Sequence, residues 1–450
     1  MNNIDLQKFD KNRKMIGDIL APKGVPSSTK KKGLSEKGIE VAGWVYNSRA
    51  LGKIKFLLLK DLTGLIQITA VKGKVSDKIF SELDKITSES VVYVKGNVRA
   101  SKQAPGGLEI VPDELKVIAH AEALPIDVSD FSKTELSKRL DIRFLDLHRK
   151  RIQAIFHIQS TISMTFRDHF VKKGFFEFQP PSIISSSSEG GTELFPAKYF
   201  EKSAFLAQSP QLYKQMVACS MEKAMTITPV WRAEKHNTVR HLNECRQMDI
   251  EMAFADATVV MKQMEEVVEE IVKNVISKNK KELKLLGIDL KIPKVKYMTF
   301  AETKKLLEKK GVKVGKDDLN GVAEKKLDEL FPDTIVFVYD WPLIGKPFYI
   351  MPKDEDAKSK LSEGFDAIYK GMEISSGGQR IHIPILLEER LKAKGLKPKD
   401  FKSYIDSFRY GAPPHAGWSI GLERFTQVLL GLDNIREAVM FPRDRDRLVP

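Results

Sequence analysis

From residue 38 the chain runs in short stretches of alternating apolar and polar positions. IEVAGWVY and IKFLLLKD alternate at the strand period, a turn falls at Thr63-Gly64, and LIQITA returns. SDKIFSELDKI has helical spacing, and VVYVKGNVRA and LEIVPDELKVIA resume the strand pattern. Three strands, a helix and two strands is the order of a small Greek-key barrel of the OB kind, here over 35–122. Such barrels often bind single strands by stacking bases on an exposed aromatic in a cationic groove. Phe56 is the candidate platform, with Arg49, Lys53, Lys55 and Lys60 nearby and Gln67 able to read a base edge. By parity Phe56 shares a strand face with Ile54 and Leu58, which on spacing alone favours a core position.

Residues 123–150 are charged and irregular and read as a hinge. Ile155, Ile158, Ile162 and Phe166 then mark an amphipathic helix over Ile152–Val171 that Gly174 stops. Phe175–Gln179 follows as a strand ended by Pro180-Pro181; this unit suits a dimer edge and simple internal packing equally. Ser209 and Pro210 open a helix whose first turns put Gln211 and Lys214 on one face. Ala224–Trp231 and Glu244–Phe254 read as an antiparallel hairpin around a basic loop, with Arg232 at the end of the first leg. A helix over Ala257–Lys278 comes next, then a Lys-rich insertion (280–333) of helical pattern that looks peripheral. TIVFVYD, KPFYIM and GFDAIYKGMEISSGGQR return to strands, and WSIGLERFTQVLLGL runs from strand into helix. The region 151–450 is therefore a second domain, and the fold class is α+β.

Composition narrows the classes. Apolar residues at 42% and charged residues at 30% describe a globular chain. No apolar run approaches a membrane span and no signal segment opens the sequence, so no membrane partner is expected. Two cysteines, Cys219 and Cys245, without CxxC spacing argue against a zinc site or disulfide scaffold and fit a reducing cytoplasm. The formal charge of +14 suits a polyanionic partner and equally a Lys-rich solvated face. Residues 1–34, with Lys30-Lys31-Lys32, read as a basic, flexible N-terminal arm.

The candidate chemistry lies in three arginines. Arg232 interrupts an apolar strand, Arg380 follows Gly377-Gly378, and Arg424 lies in the first turn of a helix. The basic hairpin loop is either an ordinary surface loop or a lid over a phosphate clamp. Asp366, Glu373 and Ser376 near Arg380 form either a solvated strand face or oxygen donors for a hard cation. No GxxxxGKS loop is present, so a nucleotide site here would hold its phosphates with guanidiniums on an antiparallel sheet.

At this point the chain resembles the class II aminoacyl-tRNA synthetases. The helix with Gly174…Pro181, Arg232-Ala233-Glu234 with its loop, and Gly421-Leu422-Glu423-Arg424 are similar to the three motifs of that class, in order. An OB barrel in front implies the subgroup for aspartate, asparagine or lysine. SSEGGTELF, LAQSPQLYKQ, RAEKHNTVRHLNE, MEISSGGQR and FPRDRDRLVP resemble the aspartyl enzymes of archaeal and eukaryotic type.

The resemblance implies a class II antiparallel catalytic sheet flanked by helices, ATP and Mg2+ as reactants, and charging of tRNA-Asp, with tRNA-Asn as a further candidate. It implies catalytic roles for Arg232, Glu234 and Arg424. ATP contacts would come from these three with Ala233, Arg240, His241, Leu242, Glu373, Gly421, Leu422 and Glu423. Aspartate would meet Glu189, Gln211, Leu212, Tyr213, Lys214, Arg232, Ser376 and Arg380, and Glu373 with Ser376 would hold the metal, Asp366 being a further candidate. Lys214 and Arg380 would face the substrate's side-chain carboxylate, two cations that an asparagine amide would leave without a counter-charge. Phe56 and Gln67 would take the middle anticodon base, which reverses the core reading of Phe56. The Ile152–Pro181 unit would form a homodimer. Pro105 matches relatives that charge both tRNAs, while Tyr46 matches neither group, and the reading leans to the strict form. An asparaginyl enzyme and a non-catalytic RNA-binding paralogue are the alternatives.

Overall fold

The computed structural model describes residues 6–20, 36–185 and 193–450, which divide into two compact units, 1–127 and 128–450. In the first, β1 (Ile39–Leu51), β2 (Ile54–Lys60), β3 (Leu65–Val71), β4 (Val91–Ala100) and β5 (Leu108–Ala119) close a barrel in the order β1-β2-β3-β5-β4. The expected helix, α3 (Asp77–Glu82), stands between the third and fourth strands, and its Ser76 cap accepts a hydrogen bond from the Ile79 amide. Leu57, Leu59, Ile66, Ile68, Val92 and Val94 fill the barrel from alternate positions. That parity sends Phe56 and Leu58 outward.

Two expectations fail in this unit. Within the stretch expected to be a flexible arm, α1 (Leu6–Asn12) and α2 (Ile16–Leu20) are helices, and Ile16 and Ile19 join the barrel core. Ile16 N–H donates to Asp61 Oδ2 at 2.8 Å and Gly17 N–H to Thr63 Oγ1 at 2.7 Å, so the segment is tied at both ends of a turn. Two apolar side chains were enough to dock a polar stretch. The Lys30–Lys32 run lies outside the described residues. Lys55 and Lys60 are also not groove cations: both are buried, against Asp84 and Glu89 respectively.

The division between the units falls inside the expected hinge, but residues 128–150 are part of the second unit rather than linker. α4 (Leu136–Asp141) and α5 (Arg143–Asp146) belong to this unit, and fully buried Arg143 donates to Asp146 and to the carbonyls of Glu437, Val439 and Met440. α6 (Lys150–Lys172) then leads into β6 (Phe176–Glu177), a shorter strand than the expected Phe175–Gln179. A small sheet of β7 (Ile183–Ile184), β8 (Pro196–Tyr199) and β9 (Lys202–Leu206) precedes α7 (Gln211–Met221). The hairpin stands where the pattern put it, as β10 (Lys223–Trp231) and β11 (Glu244–Ala253), with Trp231 opposite Glu244. α8 (Ala257–Lys278) carries Met261, Met264, Val268, Ile271 and Val275 on its buried face.

The insertion is less peripheral than its lysines suggest. α9 (Lys280–Leu286) is followed by β12 (Lys294–Thr299), which pairs in parallel with β13 (Thr334–Tyr339) and so extends the main sheet. Between them lie α10 (Phe300–Lys309), with a Thr299–Glu302 capping box, and α11 (Gly321–Leu330). β14 (Gly364–Tyr369) and β15 (Met372–Arg380) follow, then α12 (Pro384–Ala393), α13 (Lys402–Arg409), β16 (His415–Gly421) and α14 (Leu422–Leu430). KPFYIM is not a strand: only Ile350 bridges, to Arg380. The eight-stranded sheet has the order β12-β13-β14-β15-β16-β11-β10-β6, antiparallel throughout its centre and parallel at each edge.

One face of this sheet packs on α6, α8 and α14. Met248 and Ile250 of β11, and Ala416, Trp418 and Ile420 of β16, point into that core. The opposite face carries the residues in between, and these make the floor of a cavity. No described helix is long and apolar enough to cross a membrane.

Candidate active site

Alternation along the two central strands sets the floor. β11 turns Cys245, Gln247, Asp249 and Glu251 away from the helical core, and β16 does the same with Gly417, Ser419 and Gly421. Gly417 is required there: a Cβ would lie 2.2 Å from Glu251 Oε2. Helix α7 supplies one wall. Ser209 Oγ accepts from the Gln211 amide at its start, and the helical spacing brings Gln211 and Lys214 to the same buried face.

The result is a cavity of about 410 Å³ lined by Arg232, Arg380 and Arg424 together, so the three arginines share one space. Glu234, Arg240, His241, Leu242, Glu373, Gly421 and Glu423 line it as well, and so do Gln211, Lys214 and Ser376. Four expected contacts are elsewhere. The Ala233 amide donates to the Glu193 carbonyl, and Leu422 is packed in the helical core. Leu212 packs with the Phe348 and Phe401 cluster, and Tyr213 with Phe178 and Ala224. Helix periodicity accounts for Leu212, Tyr213 and Leu422, since a contiguous motif cannot turn every member to one side; Ala233 lies in the loop after β10. Glu189 lies outside the described residues.

Electrostatics divide the cavity in two. At one end Lys214 Nζ meets Asp249 Oδ1 at 2.8 Å and the Trp418 carbonyl at 3.1 Å, with Glu251 at 3.5 Å. Arg380 gives Nε to Glu251 Oε1 at 3.0 Å and Nη2 to Oε2 at 3.4 Å. Lys214, Arg380, Asp249 and Glu251 are all essentially buried. The expectation of two cations lacking a counter-charge is thus corrected, because each already faces a carboxylate. Asp249 and Glu251 were missed, because their alternate positions on β11 carry no mark of the lysine and arginine they face across the fold.

At the other end Arg424 Nη1 lies 3.4 Å from the Glu373 carbonyl, and Arg232 Nε lies 3.5 Å from the Gln208 carbonyl. Burial, then the charge of Asp366, raises the Glu373 carboxyl to about 7. Asp366 does not line the cavity; its carboxylate faces Lys346 Nζ at 2.7 Å. A desolvated carboxylate in a cavity that Ser376 also lines fits a hard cation, and no group of three His, Cys, Asp or Glu side chains able to hold a metal exists among the described residues. Protein oxygens would therefore fill only part of the shell.

The hairpin loop is held from an unforeseen side. Arg240 Nη1 lies 3.3 Å from Glu324 Oε2 of α11, and a Cβ on Gly321 would lie 3.3 Å from the same nitrogen. Burial raises the Glu324 carboxyl. Glu423 is buried and accepts from the Arg246 amide at 2.9 Å, which makes it a brace between helix and strand. Burial also holds both thiols protonated, Cys219 up to about 12 and Cys245 up to about 11, so neither suits a nucleophile.

The barrel carries its own groove. Phe56 lines it with Asn47, Arg49, Gln67, Gln103 and Pro105, and Arg49 Cζ sits 4.9 Å from the Phe56 ring centre. Gln67 Nε2 donates to Glu109 at 2.9 Å and to Thr69 at 3.1 Å, which leaves its carbonyl oxygen to offer a ligand.

Comparison with known proteins gives two family matches: class II tRNA synthetases (D, K and N) over residues 135–445, and the OB-fold nucleic acid binding domain over 39–118. An aspartate–tRNA(Asp/Asn) ligase of Methanocaldococcus jannaschii is 47% identical over 91% of this chain and 94% of its own length. An aspartate–tRNA(Asp) ligase of Pyrococcus horikoshii is 44% identical over 93% and 97%. The crystal structure of asparaginyl-tRNA synthetase from Pyrococcus horikoshii with asparaginyl-adenylate superposes at a TM-score of 0.87, 36% identical, over 92% of this chain and 97% of that one. An aspartyl-tRNA synthetase of Entamoeba histolytica gives 0.84 at 29% identity, over 100% and 95%.

Proposed function

The chain belongs to the class II aminoacyl-tRNA synthetases of the aspartate, lysine and asparagine group, and on that premise we propose the steps by which it joins aspartate to tRNA. The observation that carries the reading is the convergence of Arg232, Arg380 and Arg424 with Lys214 on one cavity. The substrate carboxylate attacks the α-phosphorus of ATP and pyrophosphate leaves; a hydroxyl of the terminal tRNA ribose then takes the acyl group and AMP leaves.

No side-chain nucleophile is required. Arg232 holds the α-phosphate and the attacking carboxylate together, which supplies proximity and neutralises charge as the five-coordinate centre forms. Arg424 takes the γ-phosphate, and Arg240, His241 and Glu234 hold the loop and the adenine. Gln211 accepts from the substrate ammonium. Lys214 and Arg380, kept rigid by Asp249 and Glu251, receive the side-chain carboxylate. Glu373 and Ser376 would hold Mg2+, which would supply charge neutralisation of the polyphosphate when bound.

The anticodon loop docks on the barrel groove, where Phe56 stacks a base and the Gln67 carbonyl accepts from a base N–H. Pro105 lies in that groove, and the relative at 47% identity carries a name covering both tRNAs, so dual charging of tRNA-Asp and tRNA-Asn is favoured over the strict form. Two subunits associate through α6 and the short β6, where Met164, Val171 and Phe176 are exposed. Aspartate-dependent exchange of pyrophosphate into ATP tests the reaction. Exchange with asparagine and none with aspartate would transfer the assignment to the sister activity, and parallel charging of the two tRNAs decides their recognition.

A further inference from the structure

Behind Gln211 runs a buried chain of hydrogen bonds that the steps above do not use. Gln211 Nε2 donates to Gln215 Oε1 at 3.0 Å, and Tyr404 O–H donates to the same oxygen at 2.7 Å. Gln215 Nε2 lies 2.9 Å from His415 Nε2, and His415 Nδ1 lies 2.9 Å from the Pro413 carbonyl. Gln215 and His415 are fully buried, and Gln211 and Tyr404 nearly so.

The directions of these bonds follow from the last contact. A carbonyl oxygen only accepts, so His415 Nδ1 carries a hydrogen. Burial pushes the ring below the usual histidine range; nearby Glu251 opposes that, while Arg380 and His382 add to it. Cys219 Sγ, 3.8 Å from Nδ1, is at most a weak acceptor beside the same N–H. A neutral ring with its hydrogen on Nδ1 presents a lone pair at Nε2, which only the NH2 of Gln215 can meet. The Gln215 oxygen then has to face Gln211 and Tyr404, and Gln211 has to turn its own NH2 toward that oxygen. What remains on the cavity side is the Gln211 carbonyl oxygen. An ammonium group needs an acceptor there, whereas the inverted amide would aim N–H groups at a cation.

We propose that His415 is a positioning residue which, through Gln215, locks the Gln211 amide oxygen toward the cavity and so makes that subsite selective for an α-ammonium group. The inference rests on Gln211 as the ammonium acceptor in the reading above. His415→Phe removes the acceptor that orients Gln215, while His415→Gln can restore one with its amide oxygen. For the phenylalanine variant the aspartate KM in pyrophosphate exchange rises about tenfold or more. Its ATP KM stays within about twofold, and the glutamine variant recovers most of the loss.

Parallel rises in both KM values, no change in either, or a glutamine variant as impaired as the phenylalanine one would overturn the proposal. Should the phenylalanine variant not fold, nitrogen NMR of the histidine-labelled wild-type protein decides the matter. Hydrogen on Nδ1 of His415 supports it and hydrogen on Nε2 overturns it. The two levels separate cleanly: a wild-type protein that activates no aspartate removes the functional reading, and a Gln211→Ala variant with unchanged aspartate KM removes the ammonium assignment. An active wild type with an insensitive His415 removes only the relay.

Discussion

At the residue scale, Lys214, which we propose selects the substrate side chain, is also a structural charge. Its ammonium sits among Asp249, Glu251 and the Trp418 carbonyl with almost no solvent contact. Removing one partner of such a lattice leaves a buried carboxylate unpaired. Lys214→Met therefore lowers folding stability by about 3–5 kcal/mol, read as a shifted urea midpoint. Aspartate KM rises far more than ATP KM in the same variant. Unchanged stability, or equal losses for both substrates, would contradict the arrangement. Sequence alone pointed to the lysine and the arginine but not to their partners, because a carboxylate on an alternating strand looks the same whether it faces water or a buried cation.

At the scale of elements, the insertion is where pattern reading fell shortest. Its lysines suggested a solvated appendage, yet β12 joins the main sheet and α11 brings Glu324 to Arg240 of the hairpin loop. Glu324→Ala frees that guanidinium, and the expected outcome is an ATP KM several-fold higher, by about three- to tenfold, with aspartate KM unchanged. A lower ATP KM would instead mean that Glu324 competes with phosphate for Arg240. The contact joins residues 84 apart in the chain, and no local periodicity records such a meeting. The β10–β11 hairpin and α8, by contrast, were legible almost to the residue, since their apolar spacing faces one large core.

At the scale of the whole molecule, the barrel proposed to read RNA and the sheet proposed to form the adenylate belong to separate units with separate cores. Phe56→Ala should weaken tRNA binding by roughly 1–3 kcal/mol through lost stacking while leaving pyrophosphate exchange unaltered. A matching loss of exchange, measured without tRNA, would mean that the two functions are not separable in this way.

Strand and helix periodicity, turn residues and motif order determined the barrel, the central sheet and the family, because each is written in local spacing and in residue types that only one side of an element can use. Whether Phe56 faced in or out was not written there: Leu57 and Leu59 claimed the barrel interior, and closure of the sheet sent the other parity outward. Nor was the pairing of Lys214 and Arg380 with Asp249 and Glu251, or the docking of Ile16 and Ile19 onto the barrel. Those depend on which distant segments share a low-dielectric space. Burial makes an unpaired charge or an exposed apolar side chain costly, and only the assembled fold determines which partners can relieve it.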